Sequence, residues 1–312
     1  MPIAVYPGAT LTGAKVSDLA TNAGAQFEAA AALHERYRTP VLMSAMDLSV
    51  EAEAFGAEVH FAEQEVPTII RPVLASASEV NELALPAPGD KRTAVYLETV
   101  RKLKKLAGRP VVLGGCIGPF SLAGRLIGVT EAFALTVTEP QVMHALLEKS
   151  ARYLEDYVRA FRDAGADGVI MAEPSAGLLS PKAVTTFSSA YIRPIVEAVA
   201  GLPFSFVLHN CAARLVHLPA ILEAGAPIYH FGAPMDLPSA LGRVDRELVL
   251  CGNLDPAAVF CQGSTDLVTR QVVELLDSTV SRRNFVISSG CDLPPQVPLE
   301  NLDAFYAAAS SY

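Results

Sequence analysis

The 312-residue chain is 51% hydrophobic and carries a formal net charge of −9, so it can bury a large core and is a poor partner for nucleic acid. No run of about eighteen apolar residues occurs, and Met1 to Tyr6 lacks the basic and apolar regions of a secretory signal, so no membrane span is expected and a cytoplasmic setting is. There the five cysteines are free thiols or ligands rather than disulfides.

In chain order, the spacing of Leu19, Ala23, Phe27, Ala30, Ala31 and Leu33 predicts a helix over Ser17 to Tyr37, broken by Thr39-Pro40. Val41 to Met46 reads as a buried strand ending at Asp47, and Val50 to Phe55 as a short helix closed by Gly56. Glu58 to Phe61 reads as a further strand, and residues 62 to 95, rich in proline, as a loop section. Glu98 to Leu106 is helical, with Arg101-Lys102-Leu103-Lys104-Lys105 as its solvated face. Pro110 to Leu113 is a strand running into Gly114-Gly115-Cys116, and Pro119 to Leu126 starts a helix or a loop over the strand ends. Glu139 to Ala164 is a long amphipathic helix, and Gly168 to Ala172 a strand ending at Glu173. A helix over Pro181 to Ala200 precedes the strand Phe204 to His209. After a helix over Leu215 to Glu223 come strands Ile228 to Phe231 and Leu248 to Cys251, a helix from Asp266 to Ser281, and a last strand, Asn284 to Ile287.

Strand and helix thus alternate about eight times, and the strands are continuously apolar, as expected where helices cover both faces of a parallel sheet. No dinucleotide glycine fingerprint follows the first strand, so the expectation is an α/β fold of the (β/α)8 TIM type, one domain over 1–312. Residues 1–38 would form an N-terminal helical extension and 39–312 the barrel. Chemistry in such barrels sits at the C-terminal strand ends, where Asp47, Cys116, Glu173, His209, Cys211, His230, Asn253 and Cys291 all fall.

Among these, His209 and Cys211 are two residues apart at the end of a strand, so their side chains share a face. With Cys291 from the break after the last strand they make a three-ligand zinc set with an open fourth position. The alternative is that all three are packing residues, since cysteine is among the most buried side chains. Glu173 is then a further ligand, a proton acceptor, or the residue that orients the His209 ring. His230 either lines the site or is a core histidine. Asn253 and Asp255 either touch the ligand or shape a turn.

A resemblance adds to this. Met46-Asp47-Leu48-Ser49-Val50-Glu51, Gly118-Pro119-Phe120-Ser121-Leu122-Ala123, Ala172-Glu173-Pro174-Ser175-Ala176, His209-Asn210-Cys211, Gly252-Asn253-Leu254-Asp255-Pro256 and Gly290-Cys291 together resemble the uroporphyrinogen decarboxylase superfamily from about residue 40 onward. Within it the chain is similar to the corrinoid-dependent methyltransferases. The decarboxylase branch carries arginines near its N-terminus, where Pro2 to Leu19 here has none, and Gly-His-Gly where this chain has Gly290-Cys291-Asp292. The methyltransferase resemblance implies that His209, Cys211 and Cys291 bind Zn2+, and that a methyl group passes from a methylcorrinoid to a small acceptor. That acceptor would be a thiol such as coenzyme M, or else tetrahydrofolate. The donor is expected on a separate corrinoid protein, because no Asp-x-His-x-x-Gly segment supplies a lower cobalt ligand. Asp47 aligns with the aspartate that faces the pyrrole nitrogens in the decarboxylases, so Asp47 and Glu173 are the candidate catalytic residues, with Asn253 and His230 toward the corrinoid. Arg125 and Arg214 are candidates for an acidic group on the acceptor. The alternatives are a metal-free porphyrinogen decarboxylase and a non-catalytic module that binds a corrinoid protein.

Overall fold

The computed structural model describes all 312 residues. Seven strands form one parallel sheet: β1 (Val41–Met43), β4 (Val111–Ile117), β5 (Gly168–Ala172), β6 (Ser205–Asn210), β7 (Ile228–Phe231), β8 (Val249–Leu254) and β9 (Phe285–Ser289), in that order across the sheet. The intervening β2 (Glu58–His60) and β3 (Thr68–Arg71) pair antiparallel in a separate two-stranded hairpin. That placement follows from their side chains. All five residues of β5 are buried, whereas β2 alternates exposed, half-buried, exposed and cannot enter a sheet covered on both faces.

The sheet is curled. Strands three places apart in a flat sheet lie about 14 Å from one another, yet the ligand atoms of His209 and Cys211 at the end of β6 and of Cys291 just past β9 lie within 4.8 Å of each other. Curling of this kind turns the C-terminal strand ends inward to a common mouth. The long helix Pro140–Asp163 covers β4 and β5 with Met143, Leu146, Leu147, Leu154, Val158 and Phe161. Gly114 of β4 takes the Phe161 ring edge-on, since a Cβ there would meet the ring carbons.

Residues 8–37 are largely helical, as expected, but the first residues do not stand apart as an extension. Ile3 makes a parallel bridge to Asp292, and its N–H donates to Ser289 Oγ at 3.0 Å. Ile3, Val5 and Tyr6 are fully buried, and Met1 to Ala4 line one cavity together with Val41, Leu42 and Met43. Residues 1–3 thus run alongside β9 and the residues just past it. Pro2 and Pro7 have no N–H to give a ladder, which keeps the contact to a single bridge. No single helix is long and apolar enough to cross a membrane.

Candidate metal centre

Strand β6 is apolar and buried from Phe206 to Asn210, and it delivers His209 to the mouth as its next-to-last residue. Cys211 follows on the same face. Beyond β9 the chain breaks at Gly290, whose own position leaves no room for a Cβ against Ala233 N, and Cys291 arrives from the opposite side. His209 is 2% exposed, while Cys211 and Cys291 are half-buried. The Nε2 atom of His209 is buried and has no hydrogen-bond partner. A buried ring nitrogen left bare beside two thiols is costly unless something binds it. This donor set fits a zinc ion with one position free.

The two thiols share their protons unequally. A hydrogen bond from Cys291 pulls the Cys211 thiol well below the ordinary value despite burial, and His209 adds to the shift. Cys291 is pushed up by the same contact and by burial.

Behind His209 stands His230, not Glu173. The Nδ1 atoms of His209 and His230 are 2.8 Å apart, and His230 Nε2 is 2.8 Å from Ser288 Oγ. His230 is 0% exposed and engaged at both nitrogens, the core-histidine alternative of the sequence reading. Burial lowers its pKa well below the ordinary histidine value, and the neighbouring His209 adds to the effect. Glu173 caps the helix Pro119–Ile127. Its Oε1 accepts from Ser121 N and Ser121 Oγ, each at 2.7 Å, and its Oε2 from Phe120 N at 3.2 Å. Burial pushes its carboxyl up to about 7 against those three bonds.

Asp47 is wholly buried and paired with the buried Arg92. Arg92 also donates to Ser49 Oγ at 2.7 Å and pairs with Glu53, and Phe61 lies over its guanidinium at 4.8 Å. Asp47 Oδ1 accepts from Ser49 N at 2.9 Å, which starts the short helix Val50–Ala54. Sequence reasoning missed Arg92, which lies in the proline-rich section and carries no motif. It missed Glu51 as well. That side chain is 1% exposed, accepts from Ile117 N at 3.0 Å, and has a carboxyl that burial pushes up to about 8.

Asn253 of β8 pins the loop after β7, its Nδ2 donating to Gly232 O at 3.0 Å and Met235 O at 2.7 Å. Asp255 caps the turn after β8 through Ala257 N and Ala258 N, both at 2.8 Å. Cys116 and Cys251 are buried inside strands, and Cys261 is half-buried away from any ligand cluster. Arg214 is exposed. Arg125 is half-buried on the helix Pro119–Ile127; it makes no ion pair, and burial lowers its pKa while Asp47 opposes that.

A family model described as Uroporphyrinogen decarboxylase (URO-D) matches residues 5–312. Methylcobamide:CoM methyltransferase MtbA of Methanosarcina acetivorans is 26% identical over 270 residues, 85% of this chain and 78% of that protein. Uroporphyrinogen decarboxylase of Psychromonas ingrahamii is 30% identical over 275 residues, 84% of this chain and 76% of that protein. A solved methyltransferase from Methanosarcina mazei shares the fold with a TM-score of 0.90 at 22% identity, over 99% of this chain and 91% of that one.

Proposed function

The chain belongs to the uroporphyrinogen decarboxylase family, and from that premise we propose that it is a zinc-dependent methyltransferase of the corrinoid-dependent branch, moving a methyl group from a methylated corrinoid to a small acceptor. The observation that carries this reading is the convergence of His209, Cys211 and Cys291 within 4.8 Å, with His209 Nε2 bare. Zn2+ held there would supply a Lewis acid able to deprotonate a thiol at neutral pH. The protein's own groups do the rest. Cys211 and Cys291 offer the negative charge, and the curled sheet fixes the three donors from elements far apart in sequence.

Arg92 holds Asp47 in place through a buried ion pair, and Glu173, with its carboxyl near 7, fixes the start of the helix Pro119–Ile127. Asn253 spends its amide protons on the loop after β7 and accepts no hydrogen bond at Oδ1, which leaves that oxygen for the corrinoid side. The half-buried, unpaired Arg125 favours an acceptor with an acidic group. A thiol such as coenzyme M answers both to the metal site and to this arginine, and tetrahydrofolate answers to the arginine. The donor is a methylcorrinoid on a separate corrinoid protein.

The similarity to decarboxylases is comparable in extent, but Pro2 to Leu19 has no arginine to meet a porphyrinogen's carboxylates, and the nearest buried arginine, Arg92, is spent on Asp47 and Glu53. The test is metal analysis after dialysis, together with demethylation of methylcobalamin in the presence of coenzyme M. About one zinc per chain and thiol-dependent loss of the methyl group are expected. Failure to retain zinc even when it is supplied would sink the reading.

A further inference from the structure

From His209 a line of hydrogen bonds runs away from the mouth and ends on a main-chain carbonyl. His209 Nδ1 lies 2.8 Å from His230 Nδ1 and 3.3 Å from the His230 main-chain oxygen. His230 Nε2 lies 2.8 Å from Ser288 Oγ, and Ser288 Oγ bonds the carbonyl oxygen of Met1. All three side chains are at most 2% exposed, so the line is shut off from bulk solvent.

Carbonyl oxygens only accept, and that fixes every proton in the line. Ser288 donates to Met1 O, so its oxygen is free to accept from His230 Nε2–H. A neutral His230 with its proton on Nε2 presents a lone pair at Nδ1, and His209 donates to it through Nδ1–H. The His230 carbonyl, as a second acceptor for the same proton, requires the same assignment on its own. The His209 lone pair is then on Nε2, the atom that has no partner. With the opposite arrangement Met1 O would lose its donor, the His230 carbonyl would lose the His209 Nδ1–H, and Nε2 would carry a proton with no acceptor and could bind no metal.

We propose that His230 and Ser288 are positioning residues that preset His209 in the Nδ1–H tautomer, so that the ring is ready as an Nε2 ligand before any metal arrives. This rests on the reading of His209, Cys211 and Cys291 as a metal site. Ring orientation and tautomer are set by one rigid line anchored on β7 and β9, and binding has no rearrangement to drive.

Two measurements test it. In the metal-free protein, nitrogen-15 spectra of labelled histidine at mildly alkaline pH should find His209 protonated at Nδ1 and His230 at Nε2. A His209 protonated at Nε2 overturns the proposal whether or not zinc binds. In competition with a chromophoric chelator, His230→Phe should bind zinc about 10- to 100-fold more weakly than the parent. His230→Asn, whose amide oxygen can take the His209 proton, should recover most of that loss, and Ser288→Ala should fall between. Equal affinity in His230→Phe and the parent, or no recovery in His230→Asn, overturns it. If His230→Phe does not fold, Ser288→Ala against the parent carries the comparison, and unchanged affinity there overturns the proposal. A parent that binds no zinc would end the metal reading, and the nitrogen spectra would still decide the tautomer.

Discussion

Gly118 and Glu173 cannot be changed independently, because a Cβ on residue 118 would overlap the Glu173 carboxylate. The chain passes from β4 into the helix Pro119–Ile127 at this point, and the carboxylate fills the space a side chain would need while it bonds the first free N–H groups of that helix.

Gly118→Ala should therefore displace Glu173 and break its bonds to Phe120 N, Ser121 N and Ser121 Oγ. The expected loss is about 2–4 kcal/mol in urea denaturation, from buried bonds to a charged group. A variant that unfolds at the parent's midpoint would show that the helix start does not depend on this contact.

Replacing the metal donors should separate binding from folding. Cys211→Ser and Cys291→Ala act on half-buried side chains and should lose zinc while melting near the parent temperature. His209→Ala should lose zinc and also melt lower, because the ring is 2% exposed and a cavity is left. Cys291→His should keep the metal, since imidazole is also a zinc ligand, with slower methyl transfer. Zinc content and transfer rate are measured side by side. Full zinc and full rate in Cys291→Ala would remove Cys291 from the ligand set.

The Asp47–Arg92 pair is buried on both sides, with side-chain exposure of 0% and 7%. Arg92→Met should cost about 3–5 kcal/mol, because Asp47 is left without a counter-charge. Adding Asp47→Asn should return part of that loss, so the double variant is more stable than the sum of the two single effects implies. Strict additivity would mean that the two groups are not coupled.

Glu51 gives a pH dependence with a definite sign. Its carboxyl is held up at about 8 against an ordinary 4.5, so the folded state keeps a proton that the unfolded chain gives up. Its contribution is fully present below about pH 4.5 and is lost as the pH rises toward 8, at up to about 1.4 kcal/mol per unit in between. Glu51→Gln keeps the acceptor for Ile117 N and cannot ionise. The parent should thus lose stability relative to this variant from pH 5 to 8 and run parallel to it above that. Parallel curves across the whole range would place the Glu51 carboxyl in its ordinary range.

The strands were legible because both faces are covered and the apolar runs are continuous. Gly168–Ala172 and Ile228–Phe231 fall where the sequence puts them, and His209 and Cys211 converge as two residues of one strand end must. The third member of the cluster, Cys291, was legible as a thiol after a glycine break. What the sequence did not reveal depends on contacts between distant segments. Arg92 matters because of Asp47, and His230 matters because it lies against His209; neither relation leaves a local pattern. Glu58–His60 has strand-forming residues but pairs only with Thr68–Arg71, since exposed Glu58 and His60 suit a hairpin open to water. The helices Val129–Thr138 and Leu299–Ser311 went unread, the first because it follows another helix after only Gly128, the second because its alanine-rich face has little amphipathic contrast.

The seam where Ile3 meets β9 joins residues 286 positions apart, from Ile3 N–H to Ser289 Oγ. Ring closure is therefore among the longest-range events open to this chain, and contacts of that span slow folding because the entropy of the intervening chain is surrendered before they form. Cys291 lies beyond the same seam. During synthesis every residue up to Cys291 must leave the ribosome before the three donors can meet, so their convergence is a late product of folding and not a nucleus for it.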